Sequence, residues 1–386
     1  MYVLTRYVVT EILKIFFLAL IALTLIVTVV FGVKEGLAQG LPPLVMLRTM
    51  PYMLPETLGI TLPVSLLLSV CIVYGRMTGL NEVVALKSLG INPMVIIWPA
   101  IVLAVLLSLG AVWMQEIAAT WGRPNYYRAA AESIEEIAYG RLLTIHTYSS
   151  PQFSITVKRV EGKKLIQPTI TIYDYGSNAT TTLRAAEAEL HYDHQAQGLY
   201  IICRDVKADL EGKIQISDPT EIRRFLPIDD PGRRKGTQEH HRDWLAMYEI
   251  PQHISQLQAE VLPLQQRQEA LRNSGQTLSP AESVHLANLW TLIHRLRTEP
   301  YRRLSNGFTC LCFVLIGVPM AMLWRHADVL TNFFVCFVPI LAVYYPLLML
   351  GEDLSTSGKL PPISFWMGNF LLIVAGVLLL RRIVRH

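Results

Sequence analysis

Six long runs contain no Asp, Glu, Lys or Arg: residues 15–33, 57–75 and 88–115 near the start of the chain, and 304–324, 329–351 and 360–380 near its end. No other feature constrains the fold as strongly. A helix needs about 20 apolar residues to cross a hydrocarbon core about 30 Å thick. Backbone N–H and C=O groups find no partners in lipid, so an uncharged run of that length spans as a helix, which satisfies them internally. The expected fold class is therefore membrane α+β: six transmembrane helices in a 3+3 arrangement, with one large polar domain inserted between spans three and four.

Charged residues make up only 17% of the 386, and the net charge of +4 averages two solvents. Four of the five cysteines (Cys71, Cys310, Cys312 and Cys336) fall in the uncharged runs, leaving Cys203 alone in the insert. The insert is expected to hold together by packing, without an internal disulfide. Arg6 and Lys14 precede a first run too long for a signal peptide and lacking a small-residue cleavage site, which reads as an uncleaved anchor. Arg6, Lys14, Arg76, Lys87, Arg325, Arg381, Arg382 and Arg385 sit on one side of the predicted spans. Lys34, Arg48 and Lys359, diluted by Glu35, Glu352 and Asp353, sit on the other. Basic residues concentrate in cytoplasmic loops, so both termini are expected in the cytoplasm and the insert outside.

Four domains are expected: an N-terminal membrane half (1–138), a β-domain (139–228), a linker with a helical hairpin (229–300), and a C-terminal membrane half (301–386). Within the second, "FSITVKRV" (153–160), "PTITIYDY" (168–175), "TTLRAAEAELHYD" (181–193) and "GLYIICRDVKADL" (198–210) alternate at period two between Gly162, Gly176, Gly198 and Gly212. Short antiparallel strands in a sandwich or jelly roll follow. "DDPGRRKGTQEHHRD" (229–243) reads as a solvated linker. Helical periodicity returns at Ile254, Leu257, Val261, Leu264 and Leu271, with Pro263 expected to kink it. Ser279-Pro280-Ala281-Glu282 is a capping box that opens a second helix toward span four.

The loop "GRMTGLNEVVALKSLGINP" (75–93), placed with the third span narrowed to 94–115, is the most informative polar segment. A short helix over 78–90, capped by Thr78 or Asn81 and closed by Gly90, carries Leu80, Val83, Val84, Leu86 and Leu89 with Glu82 and Lys87 as isolated charges. One face can dock on its own spans while another meets a partner. An ordinary interfacial loop helix is the competing reading.

Arg76 followed by Glu82, Ala85, Leu86, Gly90, Ile91 and Pro93 resembles the "GRL…D-E-(V/L)-x-A-L-(R/K)-x-x-G-(I/V)-S" loop of the LptF/LptG permeases of lipopolysaccharide export. Glu299 with Arg302 and Arg303, Gly317-Val318-Pro319, and Gly358-Lys359-Leu360-Pro361-Pro362 with Trp366 and Asn369 extend the resemblance along the whole chain. The hairpin at 244–298 is longer than the family pattern suggests. The resemblance implies a multi-pass protein of the cell inner membrane with a periplasmic β-jelly roll. Its implied partners are a cytoplasmic ABC ATPase dimer (LptB-like), a second permease subunit (LptF/LptG-like), periplasmic jelly-roll bridge proteins (LptC/LptA-like), and lipopolysaccharide itself. It assigns ATPase coupling to Arg76, Glu82, Leu86, Lys87 and Gly90. A lone carboxylate on an apolar docking helix sets register through a charge-assisted hydrogen bond.

Lys34, Arg48, Arg302 and Arg303 lie at span ends, and the resemblance implies that they are the substrate-binding cations that meet lipid A phosphates, with Lys34 foremost. Snorkelling at span ends explains such residues equally well, and Arg302 and Arg303 fit a brace with Glu299 too. No G-x-x-x-x-G-K-[ST] occurs, so no cofactor is expected on this chain and ATP is expected on a partner. His191 and Asp193 would share one face of a strand and His194 the other, and His240 and His241 lie in the charged linker, so neither group reads as a metal site. No nucleophile motif and no nucleic-acid-binding pattern is present. The spans lack ionisable residues, which argues against an ion-coupled carrier. A membrane-anchored sensor or binding protein is the alternative, though its cytoplasmic parts are too short for an output module.

Overall fold

The computed structural model describes residues 2–39, 42–132, 134–149, 153–173, 180–193, 198–210, 214–218, 222–226, 244–273, 279–323 and 329–385. The expected linker at 229–243, with His240 and His241, lies outside them, as do His194 and Arg325. Six segments among the described residues are long and apolar enough to cross a membrane: Val3–Leu37, Pro43–Gly79, Met94–Ala129, Pro280–Leu323, Thr331–Thr356 and Pro362–Ile383. Three precede the strands and three follow them. The chain forms two compact units, one of Met1–Thr28, Leu54–Gly122 and Arg242–His386, the other of Val29–Met53 and Arg123–His241.

The first unit is helical. Its elements in chain order begin with most of α1 (Tyr2–Gln39) and α2 (Pro43–Gly79), the short α3 (Glu82–Ser88), and α4 (Met94–Ile117) with the π-helical turn Ala118–Gly122; α5 (Arg123–Glu132) belongs to the second unit. Val8, Ile12 and Phe16 of α1, Leu66, Val70, Val73 and Met77 of α2, and Ala100 and Ala104 of α4 recur at three- and four-residue steps and form one buried stripe. Lipid is as apolar as leucine, so helices here associate by close packing and by polar contacts. Both occur. Thr24 and Thr28 of α1 hydrogen-bond Thr61 and Thr57 of α2 at 2.8 and 2.9 Å.

Among the described residues, the second unit contains α6 (Ile134–Ile145) and nine strands: β1 (Thr147–Ser149), β2 (Phe153–Thr156), β3 (Arg159–Glu161), β4 (Lys164–Ile166), β5 (Thr169–Tyr173), β6 (Thr180–Asp193), β7 (Gly198–Leu210), β8 (Ile214–Asp218) and β9 (Ile222–Leu226). Every pairing is antiparallel. The long β6–β7 hairpin is the spine: β5 and β4 share one edge of β6, while β9 and β8 share the far edge of β7. The four alternating segments all form strands, and "FSITVKRV" divides into β2 and β3 at Val157-Lys158. Buried positions on β6 shift from Leu183 and Ala185 to Ala188 and Leu190. The change falls beside Gln167, whose φ of 50° interrupts the neighbouring edge. Ala138, Tyr139 and Leu142 of α6 complete the core, and the Tyr139 hydroxyl donates to Lys163 O at 2.6 Å while accepting from Leu190 N at 2.9 Å.

Back in the helical unit, α7 (Ile250–Asn273) runs continuously through Pro263, and α8 (Pro280–Leu323) continues from the hairpin directly into span four as one helix of 44 residues. The capping box is formed: Ser279 Oγ accepts from Glu282 N at 3.3 Å, and Ser279 N donates to the Glu282 carboxylate at 3.2 Å. Ile254, Leu257, Val261, Leu264 and Leu271 of α7 meet Leu286, Leu289 and Ile293 of α8. The last elements are α9 (Val329–Pro339), a π-helical turn Ile340–Tyr344, α10 (Tyr345–Thr356), a 3₁₀ turn Pro362–Trp366 and α11 (Met367–Arg385). Helix α8 is central and packs on α4 and α11. A methyl group at Gly307 would sit 2.8 Å from Val112 N of α4, so this crossing requires glycine. Asn369 of α11, fully buried, donates to Ser305 O and Oγ of α8 at 2.8 and 2.9 Å.

Candidate functional site

Helix α3 sits between α2 and α4 and is shorter than the expected 78–90. Asn81 occupies its N-cap in a left-handed conformation without a side-chain cap, and Thr78 Oγ1 turns back to Tyr74 O at 2.8 Å. The C-terminal end forms as expected. Gly90 has φ of 74°, its N–H donates to Lys87 O at 3.0 Å, and Ile91 N donates to Leu86 O at 3.1 Å. These two bonds are a Schellman motif, in which glycine at C′ avoids the Cβ clash of the left-handed region.

The inner face of α3 is tied to the bundle. Val83 is buried in the main helical core and Leu86 packs against it. Lys87 Nζ donates to Ile383 O of α11 at 3.3 Å. Arg76, at the end of α2, donates to Glu11 Oε2 of α1 at 3.2 Å and to the Tyr7 hydroxyl at 3.3 Å. The outer face presents Leu80, Val84 and Leu89, the last 74% exposed. Glu82 opens the helix half-buried, and its carboxylate has no hydrogen bond or ion pair among the described residues. Helix α3 is thus a fixed platform that offers a strip of apolar side chains with one uncommitted carboxylate beside it.

The second cluster lies where α4 meets α8. Arg303, only 1% exposed, donates from Nη1 to Glu116 Oε2, from Nε to Glu299 Oε1 at 3.1 Å and from Nη2 to Leu245 O at 3.0 Å. Arg302, one residue earlier and partly exposed, pairs with the same Glu299 through Nε at 2.8 Å and through Nη2. Glu116 also accepts from Met247 N at 2.8 Å. Two carboxylates, two guanidiniums and two backbone groups therefore join α4, α8 and the segment leading into α7. Such a group is tolerable in a dry site only because each charge has several partners.

Lys34 and Arg48 belong to the other unit. Both are exposed and make no ion pair or hydrogen bond among the described residues. His191 is exposed, 3.9 Å from Glu135. Sequence reading missed Glu116 and Leu245 O as partners of Arg303, Met247 N as partner of Glu116, and Glu11 as partner of Arg76. Glu116 had one signal: it is the carboxylate that ends the third uncharged run.

No curated protein matches this chain. The family model described as lipopolysaccharide export system permease LptF/LptG matches residues 6–382, nearly the whole length, over both membrane halves, the sheet, α3 and the Glu299–Arg303 cluster. The chain is a multi-pass membrane protein and belongs to the LptF/LptG family.

Proposed function

We propose that this chain is the permease subunit of an ABC exporter that extracts lipopolysaccharide, or a related glycolipid, from the inner membrane and passes it toward the outer membrane. The carrying observation is α3: a short helix pinned to the bundle by Val83, Leu86 and Lys87, with Leu80, Val84 and Leu89 outward and Glu82 uncommitted. It suits the groove of a cytoplasmic ATPase, where the Glu82 carboxylate meets an arginine or a backbone donor. Arg76 and Gly90 hold the two ends of the loop, so movement of the ATPase reaches α2, α4 and α11 as a push on a rigid block. ATP binds and is hydrolysed on that partner, and this chain itself is not an enzyme.

In this reading both termini are cytoplasmic and the β-unit is periplasmic, a jelly-roll-like module that joins LptC/LptA-like bridge proteins by strand addition at its edges. A second LptF/LptG-like subunit completes the membrane cavity. Lys34 and Arg48, exposed and without an ion pair or hydrogen bond among the described residues, meet the lipid's phosphates. Of the two roles open to Arg302 and Arg303, bracing fits Arg303 better, because its guanidinium is enclosed by Glu116, Glu299 and Leu245 O. Arg302 keeps an exposed edge and serves as the remaining phosphate contact.

The test is affinity purification of tagged wild type beside Glu82→Lys, with mass spectrometry of the co-purifying proteins. An ABC ATPase recovered with wild type and lost with the variant is expected. If no ATPase accompanies the wild type, the exporter has no energy source and the proposal fails.

A further inference from the structure

Beside α3 lies a cavity of about 400 Å³, within the range of small-molecule sites, bounded by Val83, Val84 and Lys87 of α3, Met322 and Leu323 of α8, and Arg382 and Ile383 of α11. Thr78 at the end of α2 closes it. Leu323 and Ile383 are the last residues of their apolar spans, and Thr78 stands one residue before the end of another. Three spans thus end around the cavity, at the level where the hydrocarbon core gives way to headgroups. Its walls are divided by chemistry. Met322, Leu323, Val83, Val84 and Ile383 offer apolar side chains, while Lys87 and Arg382 are its two charged groups among the described residues, both cationic. Lys87 Nζ spends one proton on Ile383 O, which holds the ammonium in place and leaves two protons for an acceptor. Arg382 is exposed and has no partner among the described residues.

We propose that this cavity binds the phosphate of an anionic membrane phospholipid. Lys87 and Arg382 bracket the phosphate, and Met322, Leu323 and Val83 receive the glycerol and the first acyl carbons. Basic pockets between transmembrane helices select anionic headgroups by this combination of charge and apolar wall. A soluble anion would use the cations and leave the apolar wall wet. The site requires only that these spans cross a membrane, so it stands apart from the transport reading. Its consequence is local: the lipid becomes part of the seat of α3, because Val83 and Lys87 contribute to both.

The experiment is native mass spectrometry of the full-length protein in detergent, titrated with phosphatidylglycerol or with phosphatidylcholine of identical acyl chains. A separate arm adds millimolar inorganic phosphate to the phosphatidylglycerol complex. Wild type should prefer phosphatidylglycerol by about tenfold, consistent with two cations near a headgroup. Arg382→Gln and Lys87→Gln, the latter keeping a donor for Ile383 O, should each reduce that preference to about threefold or less. Arg381→Gln, which removes an equal charge from a neighbouring exposed position outside the cavity, should retain it. Three results would overturn the proposal: no preference in wild type, an equal loss in Arg381→Gln, or displacement of the lipid by inorganic phosphate, which would mark a free-anion site.

Discussion

Arg303 of α8 reaches Glu116 of α4 across 187 residues of sequence, and both groups are further committed, Arg303 to Glu299 and Leu245 O, Glu116 to Met247 N. The contact fastens the two halves of the membrane domain where the segment before α7 enters. Removing one member of a buried pair strands the other, which is where the energetic consequence lies.

Arg303→Ala should therefore destabilise the protein by about 3–5 kcal/mol, seen as a large drop in the thermal unfolding midpoint in detergent. Arg302→Ala should cost about 1 kcal/mol, because its side chain is partly exposed and Glu299 keeps Arg303 as a partner. Equal losses for the two variants would show that the cluster is not organised around Arg303.

Gly90→Val should loosen the end of α3 while leaving the bundle intact. A β-branched residue at φ of 74° is strained by about 1–2 kcal/mol, acting on the Schellman bonds to Lys87 O and Leu86 O. Amide hydrogen exchange over residues 82–91 should accelerate several-fold, with the global melting temperature little changed.

In the sheet unit, Tyr139→Phe removes the hydroxyl that donates to Lys163 O and accepts from Leu190 N. Ring burial against Leu142 and the sheet is retained, so the loss isolates the polar contribution, about 1–3 kcal/mol for buried groups left without partners. Denaturant unfolding followed by the β-sheet circular dichroism signal measures it.

Cys203 should resist alkylation at neutral pH until the sheet unfolds. It is 2% exposed, and burial pushes its thiol up to about 11. A folded pKa above the unfolded value near 8.5 means the native state holds the proton longer. The contribution to stability is complete below about pH 8.5 and is lost as the pH rises toward 11. Peptide-level labelling with iodoacetamide across that range, with and without urea, should show protection fading with pH alone.

How far the fold and site were legible in sequence follows from the range of the forces involved. Six spans could be read directly, since an uncharged run of sufficient length has one stable conformation in lipid, and it says so residue by residue. The Ser279–Glu282 capping box and the Gly90 terminus were equally plain, because each is completed within four residues of itself. The alternating strands appeared for the same reason, although β1, β4, β8 and β9 lie outside the four segments and "FSITVKRV" proved to be two strands. Tertiary structure alone decided where the charges went. Arg302 and Arg303 are adjacent and chemically identical, yet Arg303 is enclosed while Arg302 keeps an exposed edge. That difference arises because only Arg303 lies toward α4, where Glu116 waits, and helix phase together with the Gly307–Val112 crossing sets that approach. Likewise Lys87 was visible as a lone charge on an apolar helix, but its carbonyl partner, Ile383, lies at the opposite end of the chain. Local backbone preferences are written in neighbouring residues, whereas the partner of a buried charge is whichever group the packed helices bring within 3 Å or so.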